Sequence, residues 1–447
     1  MAGAGSGDEV IIAVRKTTTR RPAITLEVKT LFNAVQPLRG FICKDATLVR
    51  DEDTPVRIDI HLREDKRSRP CCGCCGKPAP GYDRQPERRW RFIALWGIAA
   101  DLHYCPRRVN CPQCGVRVEA MPWSEGKHQA SKALIIYLAQ WARRMSWKET
   151  ATVFKVSWEM VYRSVQWMVA WGLEHRDLSG IEAIGVDELH RGRGKKSANY
   201  ITLIYQIDAG CRRLLWVGER RTEACLRQGI QELGTALHGV KYACSDMWKP
   251  YLKVIAKLLP QALNILDRFH IVAHLNGAVD TVRRAEVSRL GGCKGSAGQK
   301  LKKMRWNLLR AGRRVRGKAR ARLKALIAAK GATARAWMLK ESFDHFWSYR
   351  SLPWAMSFMD AWVTRALKSR LEPMRKVAKM LRAHRELLGN YFRARKLYSS
   401  GVVEGLNLKC NLIKRRAYGL RSFDALQTAL YHNLGCLPEP KTTHRFC

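Results

Sequence analysis

Ile184-Gly-Val-Asp187-Glu-Leu-His190 is a short apolar run with acids at its centre, and its reading decides the fold. Its length and apolar flanks make it a buried strand. Side chains alternate across a strand, so Asp187 and Glu188 point to opposite faces, and only one of them can join a given site. Downstream, Tyr200-Ile-Thr-Leu-Ile-Tyr-Gln-Ile-Asp208 and Arg213-Leu-Leu-Trp-Val217 read as two further strands, joined by the tight Asp208-Ala-Gly210 turn. A helix follows, then Val240-Lys-Tyr-Ala-Cys-Ser-Asp246, a fourth strand ending on an acid. A second helix from about Tyr251 leads to a fifth strand, Ala262-Leu-Asn-Ile-Leu266.

Three antiparallel strands followed by alternating helix and strand is the pattern of a ribonuclease-H-like core, in which acids of the first and fourth strands meet. A third acid, Glu404, lies in Ser399-Ser-Gly-Val-Val-Glu404-Gly-Leu-Asn407, where Ser and Gly mark a helix start. Asn407, Asn411 and Lys414 follow on the same helical face. Asp187, Asp246 and Glu404 therefore suit two hard divalent ions, Mg²⁺ or Mn²⁺, flanking a phosphate. His270, in Asp267-Arg-Phe-His270, is an auxiliary catalytic candidate.

Outward from this core, Cys72-Gly-Cys-Cys75-Gly76 and Cys111-Pro-Gln-Cys114-Gly115 are two copies of C-x-x-C-G. Two thiolates from each copy complete a tetrahedral structural zinc site, and the trailing glycine permits the tight turn. Cys71 and Cys74 have the same spacing, so the register of the first copy stays open, with Gly76 favouring Cys72 and Cys75. Cys105 is a further candidate. Ser146-Trp-Lys-Glu149 matches a capping box. A short helix from Trp147, a turn at Lys155-Val156 and a second helix capped by Ser157 form a helix-turn-helix candidate. It offers Arg163 and Gln166 to a major groove.

The 447 residues carry 81 Lys and Arg against 38 Asp and Glu, a formal net charge of +43, which makes a polyanion the expected partner. No uninterrupted apolar run reaches the length of a spanning helix, and the N-terminus lacks a signal-peptide pattern, so a cytoplasmic, DNA-associated protein is expected. Fifteen cysteines in such a reducing setting favour metal ligation or burial over disulfides. From Gly291 to Lys340 there are sixteen Lys or Arg and no Asp or Glu, with Trp306 and Trp337 interleaved and Trp347 just beyond. Arg310, Arg313, Arg314 and Arg316 in this run are expected on DNA backbone, as are Asn407, Lys414, Arg415 and Arg416.

Together with Gly185-Val-Asp-Glu188, Ser245-Asp-Met-Trp248, Phe269-His270 and Val282-Arg-Arg284, the second cysteine knuckle resembles bacterial insertion-sequence transposases of the ISL-three family. Val403-Glu-Gly-Leu-Asn407 and Ile413-Lys-Arg-Arg-Ala-Tyr-Gly-Leu-Arg421 extend the likeness, which covers about residues 57 to 430 in the family's order. The resemblance implies a multidomain α+β chain: a zinc-binding domain, a helix-turn-helix, and a ribonuclease-H-like core interrupted by a helical insertion. It places the family triad on Asp187, Asp246 and Glu404. The domains expected are an N-terminal segment at 1–56, zinc-binding at 57–125, helix-turn-helix at 126–180, core at 181–290, basic insertion at 291–395 and core again at 396–447. The implied activity is cleavage and strand transfer at terminal inverted repeats, with two metal ions per active site and a homodimer or higher oligomer on DNA. The rival readings are a zinc and helix-turn-helix repressor, and a purely hydrolytic nuclease.

Overall fold

A computed structural model of the chain describes residues 27–52, 54–191, 199–292, 296–398, 401–417, 420 and 422–441. The chain forms two compact units, one of Met1–Trp141, Ala151–Met160 and Lys441–Cys447, the other of Ala142–Thr150 and Val161–Pro440.

The first unit begins with a helix, α1 (Val28–Val35), followed by the long strands β1 (Phe41–Asp51) and β2 (Thr54–Glu64). After β3 (Gly81–Arg84) come β4 (Arg88–Leu95), β5 (Ile98–Tyr104), β6 (Arg107–Cys111) and β7 (Gly115–Val118). One sheet has the order β1-β2-β5-β4 and a smaller one the order β3-β6-β7. Side chains alternate along β2: Ile58, Ile60 and Leu62 enter a core with Trp90, Phe92, Ala100, Leu102, Tyr104 and Trp123. Its other face carries Arg57, Asp59 and His61. The N-terminal region differs from expectation. Residues 1–26 lie outside the described residues; Val28–Val35 is helical, and β1 pairs with β2 from Phe41↔Glu64 to Asp51↔Thr54. The sheet thus starts well before residue 57. The strand is hard to read because β1 buries only Phe41 and Cys43, leaving no sustained period.

Helices α2 (Lys132–Trp141), α3 (Trp147–Val153) and α4 (Trp158–Glu174) follow. The capping box at the start of α3 is formed: the Ser146 amide donates to Glu149 Oε2 at 2.8 Å, and the Glu149 amide to Ser146 Oγ at 3.2 Å. Lys155, with φ of 49°, turns the chain before α4, and Ser157 Oγ accepts from the Met160 amide at 3.1 Å.

The second unit is built on β8 (Ala183–His190), β9 (Tyr200–Asp208), β10 (Cys211–Glu219), β11 (Tyr242–Ser245) and β12 (Leu263–Leu266) in the order β10-β9-β8-β11-β12. β8 is antiparallel to β9 and parallel to β11, which is parallel to β12. Helices α5 (Glu223–Leu233) and α6 (Lys249–Leu258) cover one face through Leu226, Ile230, Tyr251, Val254 and Ile255. The basic segment is helical, as α7 (Arg268–Arg289), α8 (Ser296–Lys303), α9 (Arg305–Leu309), α10 (Gly317–Ala328), α11 (Ala332–Phe343), α12 (Leu352–Lys368), α13 (Glu372–Ala383) and α14 (Arg385–Arg393). Its core reaches back past residue 291: Ile271, Leu275, Val279 and Val282 of α7 pack with Phe343, Trp362 and Leu381. Two helices close the unit, α15 (Gly401–Arg416) and α16 (Phe423–Leu434). Ser399, Tyr418, Gly419, Arg421 and residues 293–295 fall outside the described residues. Among the described residues no helix is long and apolar enough to cross a membrane.

Candidate functional site

The parallel strands of the five-stranded sheet bring three acids to one level. Cys244 pairs with Gly185, so Asp187 and Asp246 each stand two residues beyond that pair. Ser245 pairs with Leu266, and the next residues are Asp246 and Asp267. All three aspartates are buried. Burial, the largest influence, together with the nearby Asp267 and Asp246 carboxylates raises the Asp187 pKa to about 6, against the pull of the Glu188 amide and His270. His270 Nε2 stands 4.0 Å from Asp187 Oδ1 and 3.6 Å from Asp267 Oδ2. It lines a cleft of about 850 Å³ shared with His274, Asn276, Arg284, Arg305 and Lys376.

Helix α15 is seated on β8 and β9 by two contacts. Asn407 Nδ2 donates to Asp187 Oδ2 at 2.7 Å, while its Oδ1 accepts from the Tyr205 hydroxyl at 2.8 Å. Beside it Val403 packs so closely on Gly185 that a Cβ there would meet Val403 Cγ2 at 2.4 Å. Glu404 sits one turn before Asn407, exposed, and among the described residues its carboxylate makes no hydrogen bond or ion pair.

Sequence reasoning missed three features of this site. Asp267 caps α7 through the Phe269 amide at 2.6 Å and adds a carboxylate to the cluster. Its signal was present, an acid directly after the fifth strand just as Asp246 follows the fourth. Glu188 does face away from Asp187, yet it is not remote from the site: Arg221 spans Glu188 Oε1 at 2.8 Å and Asp246 Oδ2 at 3.3 Å. Burial chiefly, then Asp246, raises the Glu188 pKa to about 8. Arg221 stacks on Trp248 at 4.4 Å, a placement that no local pattern announces. Third, Asn407 is engaged with Asp187 rather than turned outward alone.

The other candidate residues are placed as follows. Arg163 and Gln166 are exposed on α4, and Gln166 donates to the Tyr162 hydroxyl at 2.9 Å. Arg310, Arg313, Arg314 and Arg316 are all exposed, and among the described residues none of their guanidinium groups is in an ion pair. Lys414 donates to the His190 carbonyl, Arg416 to the Arg143 carbonyl at 2.8 Å, and Arg415 is exposed.

In the first unit the Sγ atoms of Cys72, Cys75, Cys111 and Cys114 lie within 4.8 Å of one another, a set able to hold a zinc ion. Gly76 and Gly115 take φ of 70° and 71°, the left-handed turn that a side chain resists. The Cys74 amide points at Cys72 Sγ at 3.4 Å. The amides of Gln113 and Cys114 hold the Cys111 thiol down to about 7. Cys71 and Cys74 stand outside the cluster.

Comparison with known proteins adds the following. The family model for ISL3 transposases matches residues 184–430. The transposase for insertion sequence element IS1001 of Bordetella parapertussis is 27% identical over 375 residues, covering 83% of this chain and 90% of that protein. The transposase for IS1557 of Mycobacterium tuberculosis is 26% identical over 379 residues, covering 79% and 83%. A chain of the Drosophila P element transposase strand transfer complex aligns with a TM-score of 0.36 at 11% identity, over 67% of this chain and 90% of that one.

Proposed function

The chain belongs to the ISL3 family of transposases, and from that premise we propose that it cuts and rejoins DNA at the terminal inverted repeats of an insertion sequence. The catalytic residues are Asp187 and Asp246 of a ribonuclease-H-like sheet and Glu404 of α15. The observation that carries this reading is the 2.7 Å bond from Asn407 to Asp187, which seats the helix bearing Glu404 against the central acidic strand. Asp187 and Asp246 fit a hard cation: they are buried oxygen donors, and Asp187 has the carboxylates of Asp246 and Asp267 for neighbours. Two Mg²⁺ or Mn²⁺ ions would be held by these three carboxylates and supply Lewis acidity at the scissile phosphate. Asn407 and Tyr205 orient Asp187. Arg221 steadies Asp246 from its far side, and His270 stands where it can hold a proton beside Asp187.

The rest of the chain brings DNA to this site. The exposed arginines of the insertion neutralise backbone phosphates of end and target DNA, and α3 and α4 act as a helix-turn-helix whose Arg163 and Gln166 read the repeat. A structural zinc on Cys72, Cys75, Cys111 and Cys114 steadies the small sheet β3-β6-β7. Action on DNA ends in pairs calls for a dimer or higher oligomer, working in the cytoplasm. The full chain with Mg²⁺, a labelled terminal repeat and a plasmid target tests this. Cleavage at the repeat with joining to the plasmid is expected, and Asp187→Asn, Asp246→Asn and Glu404→Gln should bind the end without cutting. Cleavage without joining would make the protein a nuclease. Binding without cleavage by the unaltered chain would make it a repressor.

A further inference from the structure

The four-stranded sheet of the first unit turns a polar face away from its core, and that face gathers two histidines and a glutamate. His61 of β2 and His103 of β5 are direct cross-strand partners in parallel register. Their rings lie 5.0 Å apart, tilted by 36°. Glu87, just before β4, brings Oε1 to 3.0 Å from His103 Nδ1. One ligand atom each from His61, Glu87 and His103 falls within 4.8 Å of the others. On its opposite edge His103 Nε2 stands 3.2 Å from Asp59 Oδ1. Asp59 is itself gripped by Arg57 through Nε at 2.6 Å and Nη2 at 2.8 Å.

We propose that His61, Glu87 and His103 form a second transition-metal site, for a divalent ion of the zinc class, distinct from the four thiols. Two imidazoles and one carboxylate are borderline ligands that suit zinc and its neighbours rather than magnesium. The arrangement of His103 is that of a metal-bound histidine with an outer carboxylate: one ring nitrogen is offered to the ion, and the other stands 3.2 Å from Asp59 Oδ1. That contact sets the tautomer and ring plane and makes Nδ1 the better donor. Arg57 fixes Asp59 in turn, so the histidine is aimed by a rigid chain of contacts on two strands. His103 is only 12% exposed, whereas Glu87 is 52% exposed, which leaves the ion reachable from one side. That side opens on a cleft of about 440 Å³ lined also by Asp45 and Cys105, with room for the water that completes the coordination of a three-ligand site.

The site is tested by zinc titration of the chelator-stripped full chain, followed by calorimetry and elemental analysis. Two ions per chain are expected. His61→Gln and Glu87→Gln, both at solvent-reachable positions, should each leave one. Asp59→Asn should weaken the same ion by about 10- to 100-fold. Cys111→Ser with Cys114→Ser should lose the other ion and keep this one. Cobalt substitution tells the two apart even if the cysteine variant fails to fold. The thiol site gives a sulfur charge-transfer band that His61→Gln leaves intact, and the histidine site gives only weak d–d bands that His61→Gln removes. Unchanged stoichiometry and cobalt spectrum in His61→Gln would overturn the proposal. So would a single ion lost wholly with the two cysteines. Absence of the sulfur band alone would instead overturn the zinc reading of the four thiols.

Discussion

In the four-stranded sheet the buried carboxylates are met by arginines. Arg57 holds Asp59 in a two-pronged grip, and Arg57, Arg89 and Arg91 approach Asp101 to 3.9, 3.8 and 3.4 Å. Burial alone would raise the Asp59 pKa, but the Arg57 hydrogen bond and charge bring it below the usual carboxylate range. In the five-stranded sheet Asp187 is equally buried, and its charged neighbours include Asp246 and Asp267, just past the ends of β11 and β12, with His270 as the counterweight; its pKa rises. Both sheets bury acids, so burial does not separate structure from chemistry. The partner does. Asp59, gripped by its own arginine, is already neutralised, whereas Asp187, set against other acids, calls for a cation from outside.

Exchanging the charge for an amide at matched positions should break this comparison if it is wrong, and it carries the largest effects expected. Asp187→Asn should lower strand cleavage by at least about 10²- to 10³-fold, the scale on which losing one group of a preorganised electrostatic site acts. Folding stability without metal should hold or rise, because like-charge repulsion is relieved. Asp101→Asn should do the reverse, costing about 1–3 kcal/mol of stability in urea unfolding and leaving the cleavage rate per folded molecule intact. A marked stability loss in Asp187→Asn would show that the hydrogen bonds its carboxylate accepts from Asn407 and the Glu188 amide outweigh the repulsion from Asp246 and Asp267.

Much of this contrast is legible in the sequence. Asp187 and Asp246 could be read because each sits at a fixed place on an apolar run, and β9 spans the very residues expected, Tyr200–Asp208. The cysteine pairs were legible because C-x-x-C-G encodes its own turn. Arg221 was not, since it lies in a loop 33 residues after Glu188 and 25 before Asp246 and acts on both only through the folded sheet. Asn407 looked like a phosphate ligand because helical spacing reveals which residues share a face, not what that face touches. The polar sheet face escaped too: His61 and His103 are 42 residues apart, and only parallel pairing of β2 with β5, around the intervening β4, sets them side by side.

Arginines sharpen the comparison at the next size of effect. Arg107 donates from Nε and Nη2 to Glu119, whose side chain is 1% exposed. Arg107→Gln should therefore cost about 3 kcal/mol by removing the charge partner of a buried carboxylate, which keeps only the Tyr104 hydroxyl and the backbone amide of residue 107, and should leave DNA binding of the folded fraction unchanged. Arg310, Arg313, Arg314 and Arg316 have no acid to hold among the described residues. Replacing all four with Gln should leave stability within about 0.5 kcal/mol, as surface changes do. It should flatten the dependence of log K on log salt by up to about three or four units, each lost phosphate contact contributing about 0.9. Fluorescence anisotropy at several salt concentrations reads both variants. An unchanged slope in the fourfold variant would make the run a solvated face.

A coupling of about 1–2 kcal/mol bears on how the third acid reaches the first two. Gly185 lies one strand position pair before Asp187, and a methyl group there would stand 2.4 Å from Val403 Cγ2 and 3.3 Å from Ile207 Cγ2. Valine on a helix has one strongly preferred rotamer, so Val403 cannot swing clear and α15 must shift instead. Gly185→Ala should cost about 1–3 kcal/mol of stability, as overpacking a core does. Glu404 adjoins Val403, so the same shift should also slow cleavage, by up to about 100-fold for a displacement near 1 Å. Val403→Ala removes the clashing methyl. Combined with Gly185→Ala it should recover most of the rate, giving a coupling of about 1–2 kcal/mol in a double-mutant cycle. Gly210→Ala, where a Cβ would meet nothing within 4 Å, supplies the control. Additive behaviour of the two substitutions would mean that Gly185 and Val403 do not hold α15 to the strand, and the link from Asp187 to Glu404 would then rest on Asn407 alone.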